Sequence, residues 1–252
     1  MKKRNILLTI EYDGTCFHGW QRQPNLRTAQ GTLEEALSRL MGHEVTVIGV
    51  SRTDAGVHAL GQRACFICDT PIPDDRIALA VNNIISAGDM RITRAEERPI
   101  KFHPRKDAAG KKYRYVIFNS ADMPVFLRNY SFKVGTDLDI ESMREAAERI
   151  EGRHDFACFQ ASGGTPGDST VRIVKSIKIE KIDPNIHVDI IGDGFLYNMV
   201  RIITGTLVEV GLGKRSAIEV DRIIESGDRS KAGFTAPPQG LYLMEVFYGQ
   251  IE

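Results

Sequence analysis

The apolar residues of the first hundred positions change their spacing in a set order, and that order limits the chain to few architectures. From Asn5 to Tyr12, Ile, Leu and Thr alternate as on a strand. Leu33, Ala36, Leu37, Leu40 and Met41 then recur at helical spacing until Gly42 stops the run. Ahead of them, Thr32-Leu33-Glu34-Glu35 reads as a capping box, its hydroxyl and carboxylate each meeting a free backbone N–H. Val45 to Val50 and Gln62 to Cys68 read as strands. Pro73 to Ile85 reads as a helix with Asp74 and Asp75 at its positive end, and Met90 to Ala95 as another strand. The order is β-α-β-β-α-β. A looser copy follows, with strands at Tyr113–Phe118, Val171–Ile182, Ile186–Ile191 and Tyr242–Tyr248. Its helices are expected at Ile140–Ile150, Phe195 to about Leu212, and Ala217–Ser226. The fold expected is α/β (α+β): two related β-α-β-β-α-β-type domains, antiparallel sheets packed by helices, and a basic cleft between them. The border falls near Pro99–Gly110, giving domains 1–104 and 105–252, and the Gly/Ser/Pro-rich stretch Ala161–Asp168 reads as a mobile loop.

Such a fold hosts many functions, so composition is needed to exclude some of them. With 42% hydrophobic and 26% charged residues, the 252-residue chain can bury a core without metals or disulfides. No apolar run approaches the ~20 residues of a membrane span. The basic Met1-Lys2-Lys3-Arg4 leads into a strand pattern with no small-residue cleavage site, so no signal peptide is read and a cytoplasmic location is expected. Cys65 and Cys68 lie on one strand, where residues three apart face opposite ways, and no second ligand pair follows. They read as core residues rather than a metal site. Lys plus Arg equals Asp plus Glu, which argues against a uniformly basic nucleic-acid coat. Locally the balance differs. Between Arg98 and Arg114 stand seven basic residues and one acid, Asp107: either a solvated face or a polyanion groove.

The connection Ser51-Arg52-Thr53-Asp54-Ala55-Gly56-Val57-His58-Ala59-Leu60-Gly61 is longer than chain reversal between two strands requires. Long loops on a rigid sheet often carry function. Asp54 itself admits two readings: an Asx-turn closed by its carboxylate, with Gly56 at positive φ, or a reactive carboxylate.

Arg52-Thr53-Asp54-Ala55-Gly56-Val57-His58-Ala59 resembles the signature of the tRNA pseudouridine synthase A family. Further marks follow in the family's order: Glu11-Tyr12-Asp13-Gly14-Thr15, Gly19-Trp20-Gln21-Arg22-Gln23, Thr28-Ala29-Gln30, Phe102-His103 with Arg105, and Lys112-Tyr113-Arg114-Tyr115. His154-Asp155-Phe156, Phe195 to Arg201, and Ala236 to Leu243 complete the series. Ser51, Ala29, Pro104 and Lys106-Asp107 depart from the pattern, as does Asn83-Ile84-Ile85-Ser86. The resemblance implies an isomerase that detaches uracil from ribose at N1 and rejoins it through C5. It implies no cofactor and no metal, uridines 38 to 40 of the tRNA anticodon stem-loop as targets, and a homodimer.

Chemistry assigns roles within that frame. The reaction needs a carboxylate, as nucleophile or as counter-ion to a cationic sugar, and Asp54 takes that part. Arg201 lies in an otherwise apolar helix and needs an anion, so pairing with Asp54 would satisfy both groups. By resemblance, Tyr113 stacks on the target base and offers a candidate base for the C5 proton. A target uridine must leave its stack, and Arg52 is placed to fill the vacated space or hold phosphate. His58, Arg105, Lys112 and Arg114 are the remaining expected RNA contacts. Two rival readings are a non-catalytic RNA-binding or RNA-folding module, and a pseudouridine synthase acting on another RNA site.

Overall fold

A computed structural model describes residues 2–85, 87–163 and 169–249. The chain forms two compact units, Met1–Ala109 with Leu243–Glu252, and Gly110–Tyr242. The mixed α/β class expected from the hydrophobic periods is the one observed. The two units do not follow the expected border alone, because the last strand groups with the first unit.

In the first unit, β1 (Arg4–Tyr12) lies between β3 (His58–Cys68) and β4 (Met90–Arg98), antiparallel to both. Ile6, Leu7, Leu8 and Ile10 are fully enclosed, so β1 is buried on both faces. The strand β10 (Leu241–Phe247) is the neighbour of β3 on its other side. Two helices accompany the sheet, α1 (Ala29–Met41) and α2 (Asp74–Ile84). The α1 cap is not the one expected. Thr28, extended, accepts from the Gly31 N–H through its hydroxyl, while Thr32 lies inside the helix, its own N–H bonded to the Thr28 carbonyl.

Strand β2 shrinks from the expected six residues to Ile48–Gly49, paired with β3. Side chains of α1 take the missing ladder bonds. Ser38 Oγ accepts from Val45 N–H at 2.9 Å, Glu34 Oε1 accepts from Val47 N–H at 3.0 Å, and Gln30 Nε2 donates to the Val47 carbonyl. A backbone satisfied by side chains has no need of a neighbouring strand.

In the second unit the strand order is β5–β9–β8–β7: Gly110–Phe118, Asn185–Gly192, Val171–Ile182 and Gly152–Asp155. These neighbours are antiparallel, and β6 (Phe132–Lys133) runs parallel to β5. Helix α3 (Ile140–Ile150) packs on β8, on α4 (Met199–Gly211) and on α5 (Glu219–Ser226). Strands β6 and β7 escaped the sequence reading because two residues, and the apolar-free Gly-Arg-His-Asp, carry no periodic signal. The expected loop Ala161–Asp168 lies largely outside the described residues. Among the described residues no helix is long and apolar enough to cross a membrane.

Candidate active site

The Asp54 loop joins β2 to β3 and is held from several sides by its own unit. The Val57 N–H bonds the Asp54 main-chain carbonyl at 3.1 Å, closing a four-residue turn in which Gly56 takes φ 79°. Because main chain closes the turn, the Asp54 carboxylate is not needed to do so. Trp20 N–H donates to the Thr53 carbonyl at 3.0 Å, and Gly56 N–H to the Phe17 carbonyl at 3.3 Å. Tyr12 Oη and Thr53 Oγ1 share a 2.7 Å hydrogen bond. Gln62 Nε2 donates to the Ser51 carbonyl at 2.8 Å, where β1 and β3 slip register between Ile10 and Tyr12. Gly19 must be a glycine: at φ 85° it sits so close that a Cβ would come within 2.7 Å of the Thr53 carbonyl oxygen. On this braced turn the Asp54 side chain is half-buried, whereas Arg52 is exposed.

His58 lies deeper than an RNA contact read from the sequence would suggest. It opens β3 rather than the loop, is buried, and its Nδ1 accepts the Gly14 N–H at 3.0 Å. The Asp13 carboxylate 3.2 Å away therefore faces an accepting nitrogen, and the contact is not an ion pair in that tautomer. This enclosed imidazole pins the 3-10 turn Gly14–Cys16 to the start of β3.

Arg52 and Arg105 do come together. Arg52 Nε donates to Gln21 Oε1 at 3.1 Å, and Arg105 Nη2 to the Gly49 carbonyl at 3.3 Å. Burial, and then repulsion from Arg52, hold the Arg105 guanidinium below its ordinary pKa. Two cations near enough for one to repel the other favour an anionic ligand. A separate cleft of about 930 Å³ beside α1 does not include Asp54; its lining of Arg22, Arg27, Arg39, Glu34, Glu35 and Glu44 mixes both signs.

The second unit holds the other expected residues. Tyr113 is buried on β5, its ring edge-on to Phe195 at 5.3 Å. Tyr115, on the same face, is fully enclosed, and its phenol donates to the Pro237 carbonyl at 2.6 Å. Burial drives its pKa upward, which keeps the phenol protonated. Lys112 and Arg114 flank Asp189 on β9, at 2.8 and 2.6 Å. Burial alone would raise the Asp189 pKa, but these hydrogen bonds more than offset it and leave the carboxyl below its ordinary value. The excess positive charge read between Arg98 and Arg114 is therefore divided between the units and partly neutralised.

Arg201 sits in the first turn of α4, where every residue except Arg201 and Glu209 is buried. The expected helix from Phe195 starts only at Met199, because Asn198 adopts a left-handed φ of 60°. Its side chain then accepts from Arg201 Nη1 at 2.8 Å, while Arg201 Nε donates to the Ala236 carbonyl at 2.7 Å. Polar main chain and an amide thus fix the guanidinium direction, a constraint that the apolar pattern of the helix does not reveal.

Comparison with known proteins adds a whole-chain view. The sequence profile of a family described as tRNA pseudouridine synthase matches residues 8–105 and 146–249. A protein of Acetivibrio thermocellus called tRNA pseudouridine synthase A is 49% identical over 245 residues, covering 97% of this chain and all of the relative. One of the same description from Ruminiclostridium cellulolyticum is 50% identical over 246 residues, again 97% of this chain and all of the relative. A third, from a Geobacter species, is 46% identical over 97% of this chain and 99% of the relative.

Proposed function

As the chain belongs to the tRNA pseudouridine synthase family, we propose that it converts uridine to pseudouridine at positions 38 to 40 of the tRNA anticodon stem-loop, with Asp54 as its reacting carboxylate. The observation that carries this reading is the Arg52–Asp54 turn. It matches the family signature and is braced by Tyr12, Phe17, Trp20 and Gln62, with a main-chain hydrogen bond closing the turn from Asp54 to Val57. A carboxylate held on so restrained a turn meets its substrate with little reorganisation, which is how positioned groups lower barriers.

The N1–C1′ bond of an extruded uridine breaks, the uracil turns within the site, C5 bonds C1′, and the proton lost from C5 is matched by one taken up at N1, so that product and substrate have the same atoms. No electrons are gained or lost. Asp54 serves as nucleophile or as counter-ion to the cationic sugar. The roles of Tyr113, stacking on the base, and Arg201, countercharge to Asp54, rest on their motifs. A homodimeric state and a cytoplasmic location rest on membership of the family.

The experiment is Asp54→Asn. Pseudouridine formation on a tRNA transcript should fall at least about a thousand-fold, with unchanged thermal unfolding and tRNA affinity. Full turnover would sink the reading. A pseudouridine map of RNA from cells lacking the protein then tests the target. Lost sites elsewhere would redirect the reading to another RNA, and no lost sites would favour a binding module.

A further inference from the structure

Arg52 does not stand alone on the surface: a continuous line of hydrogen bonds runs from it into the interior of the first unit. Its Nε donates to Gln21 Oε1 at 3.1 Å, and Gln21 Nε2 donates to Gln30 Oε1 at 2.7 Å. Gln30 Nε2 donates to Glu34 Oε1 at 3.0 Å and to the Val47 carbonyl at 3.2 Å. Gln30 and Glu34 are 8% and 4% exposed, deep enough that a missing partner would cost about 1–3 kcal/mol.

The polarity of this line is not a free choice. An amide can be turned end for end, but its neighbours here cannot. The Arg22 N–H, an obligate donor, meets Gln30 Oε1 at 3.0 Å, and the Val47 carbonyl, an obligate acceptor, meets Gln30 Nε2. Glu34 meets only donors: Val47 N–H and Gln30 Nε2 on Oε1, and Arg22 Nη1 on Oε2. Gln30 must therefore turn its oxygen towards Gln21, Gln21 must turn its nitrogen inward, and its oxygen is left facing Arg52. Each step agrees with the guanidinium being a donor only.

We propose that Gln30 and Glu34, through Gln21, are positioning residues that set the direction of Arg52, aiming its guanidinium at an RNA phosphodiester next to the reacting uridine. Arg105, the second cation at this place, makes the same anion the fitting ligand. The relay occupies the Nε edge of Arg52 and leaves its two terminal nitrogens for a bidentate phosphate contact. The inference rests on the RNA-modifying reading above.

Gln21 is exposed, so Gln21→Ala should fold normally. With a uridine-containing tRNA transcript as substrate, kcat should fall about ten-fold and KM stay within about two-fold, as misplacement of a reacting geometry predicts. Combined with Arg52→Ala, the Gln21 change should add nothing, because both remove one device. Independently, the Arg52 Nε–H resonance of the RNA-free protein should lose its protection from solvent exchange in Gln21→Ala. Wild-type kcat in Gln21→Ala, additive losses, or unaltered Nε–H exchange would each overturn the relay. An inactive parent protein would instead sink the isomerase reading, while the resonance measurement would still decide this one.

Discussion

Two cysteines three apart on one strand show how a single position sets reactivity. Cys65 and Cys68 are both buried, and burial raises the Cys65 thiol to about 12, as it does that of Cys158. A raised thiol pKa keeps the proton on sulfur until pH climbs past it, so at pH 8 neither group is appreciably thiolate. Cys16 is exposed. Brief iodoacetamide treatment of the folded protein at pH 8, read by peptide mass spectrometry, should alkylate Cys16 and spare Cys65 and Cys158. In denaturant all three should react. The sequence made the core role of Cys65 legible through its strand pattern, and singled out Asp54 by an eight-residue signature. It did not reveal the burial of His58, because its partner, the Gly14 N–H, is brought in by another segment. It did not show that Lys112 and Arg114 share Asp189, because a residue on β9 is invisible to any tally of neighbours.

Among the elements, α4 shows what periodicity can and cannot tell. Its apolar circumference announced a buried helix, and buried it is. The pattern did not reveal how closely another stretch of backbone approaches. A Cβ on Gly205 would lie 1.8 Å from the Phe234 carbonyl oxygen, and neighbouring Thr206 takes the Gly233 N–H on its hydroxyl at 2.9 Å. Gly205→Ala should therefore force the helix off the 233–234 segment and cost about 4 kcal/mol. Calorimetry should record a fall in Tm of roughly 10 °C. An unchanged Tm would mean that the segment yields freely. Strand β2 teaches the converse lesson. Val45 to Val50 has the composition of a strand, but polar side chains of α1 claim its backbone groups, and side-chain capture at a distance leaves no local signature.

For the molecule as a whole, the repeated order of elements disclosed two α/β units, while their membership depended on one late strand. The unit Gly110–Tyr242 is continuous, whereas the other needs Leu243 onward to flank β3. Expressed alone, residues 110–242 should give a dispersed NMR spectrum and cooperative unfolding. Residues 1–109 alone should unfold at markedly lower denaturant, and adding residues 241–249 through a linker should restore them. Equal stability of the bare 1–109 fragment would refute that dependence. During synthesis the arrangement imposes a delay. At ~5–20 residues per second, the ribosome spends roughly 7–27 s on the 133 residues between Ala109 and Leu243. Throughout that interval the nascent Asp54 turn waits beside a β3 edge that only the two residues of β2 pair, exposed to chaperones and proteases. Polypeptides abandoned before β10 emerges would carry the Asp54 signature without the strand that completes its sheet.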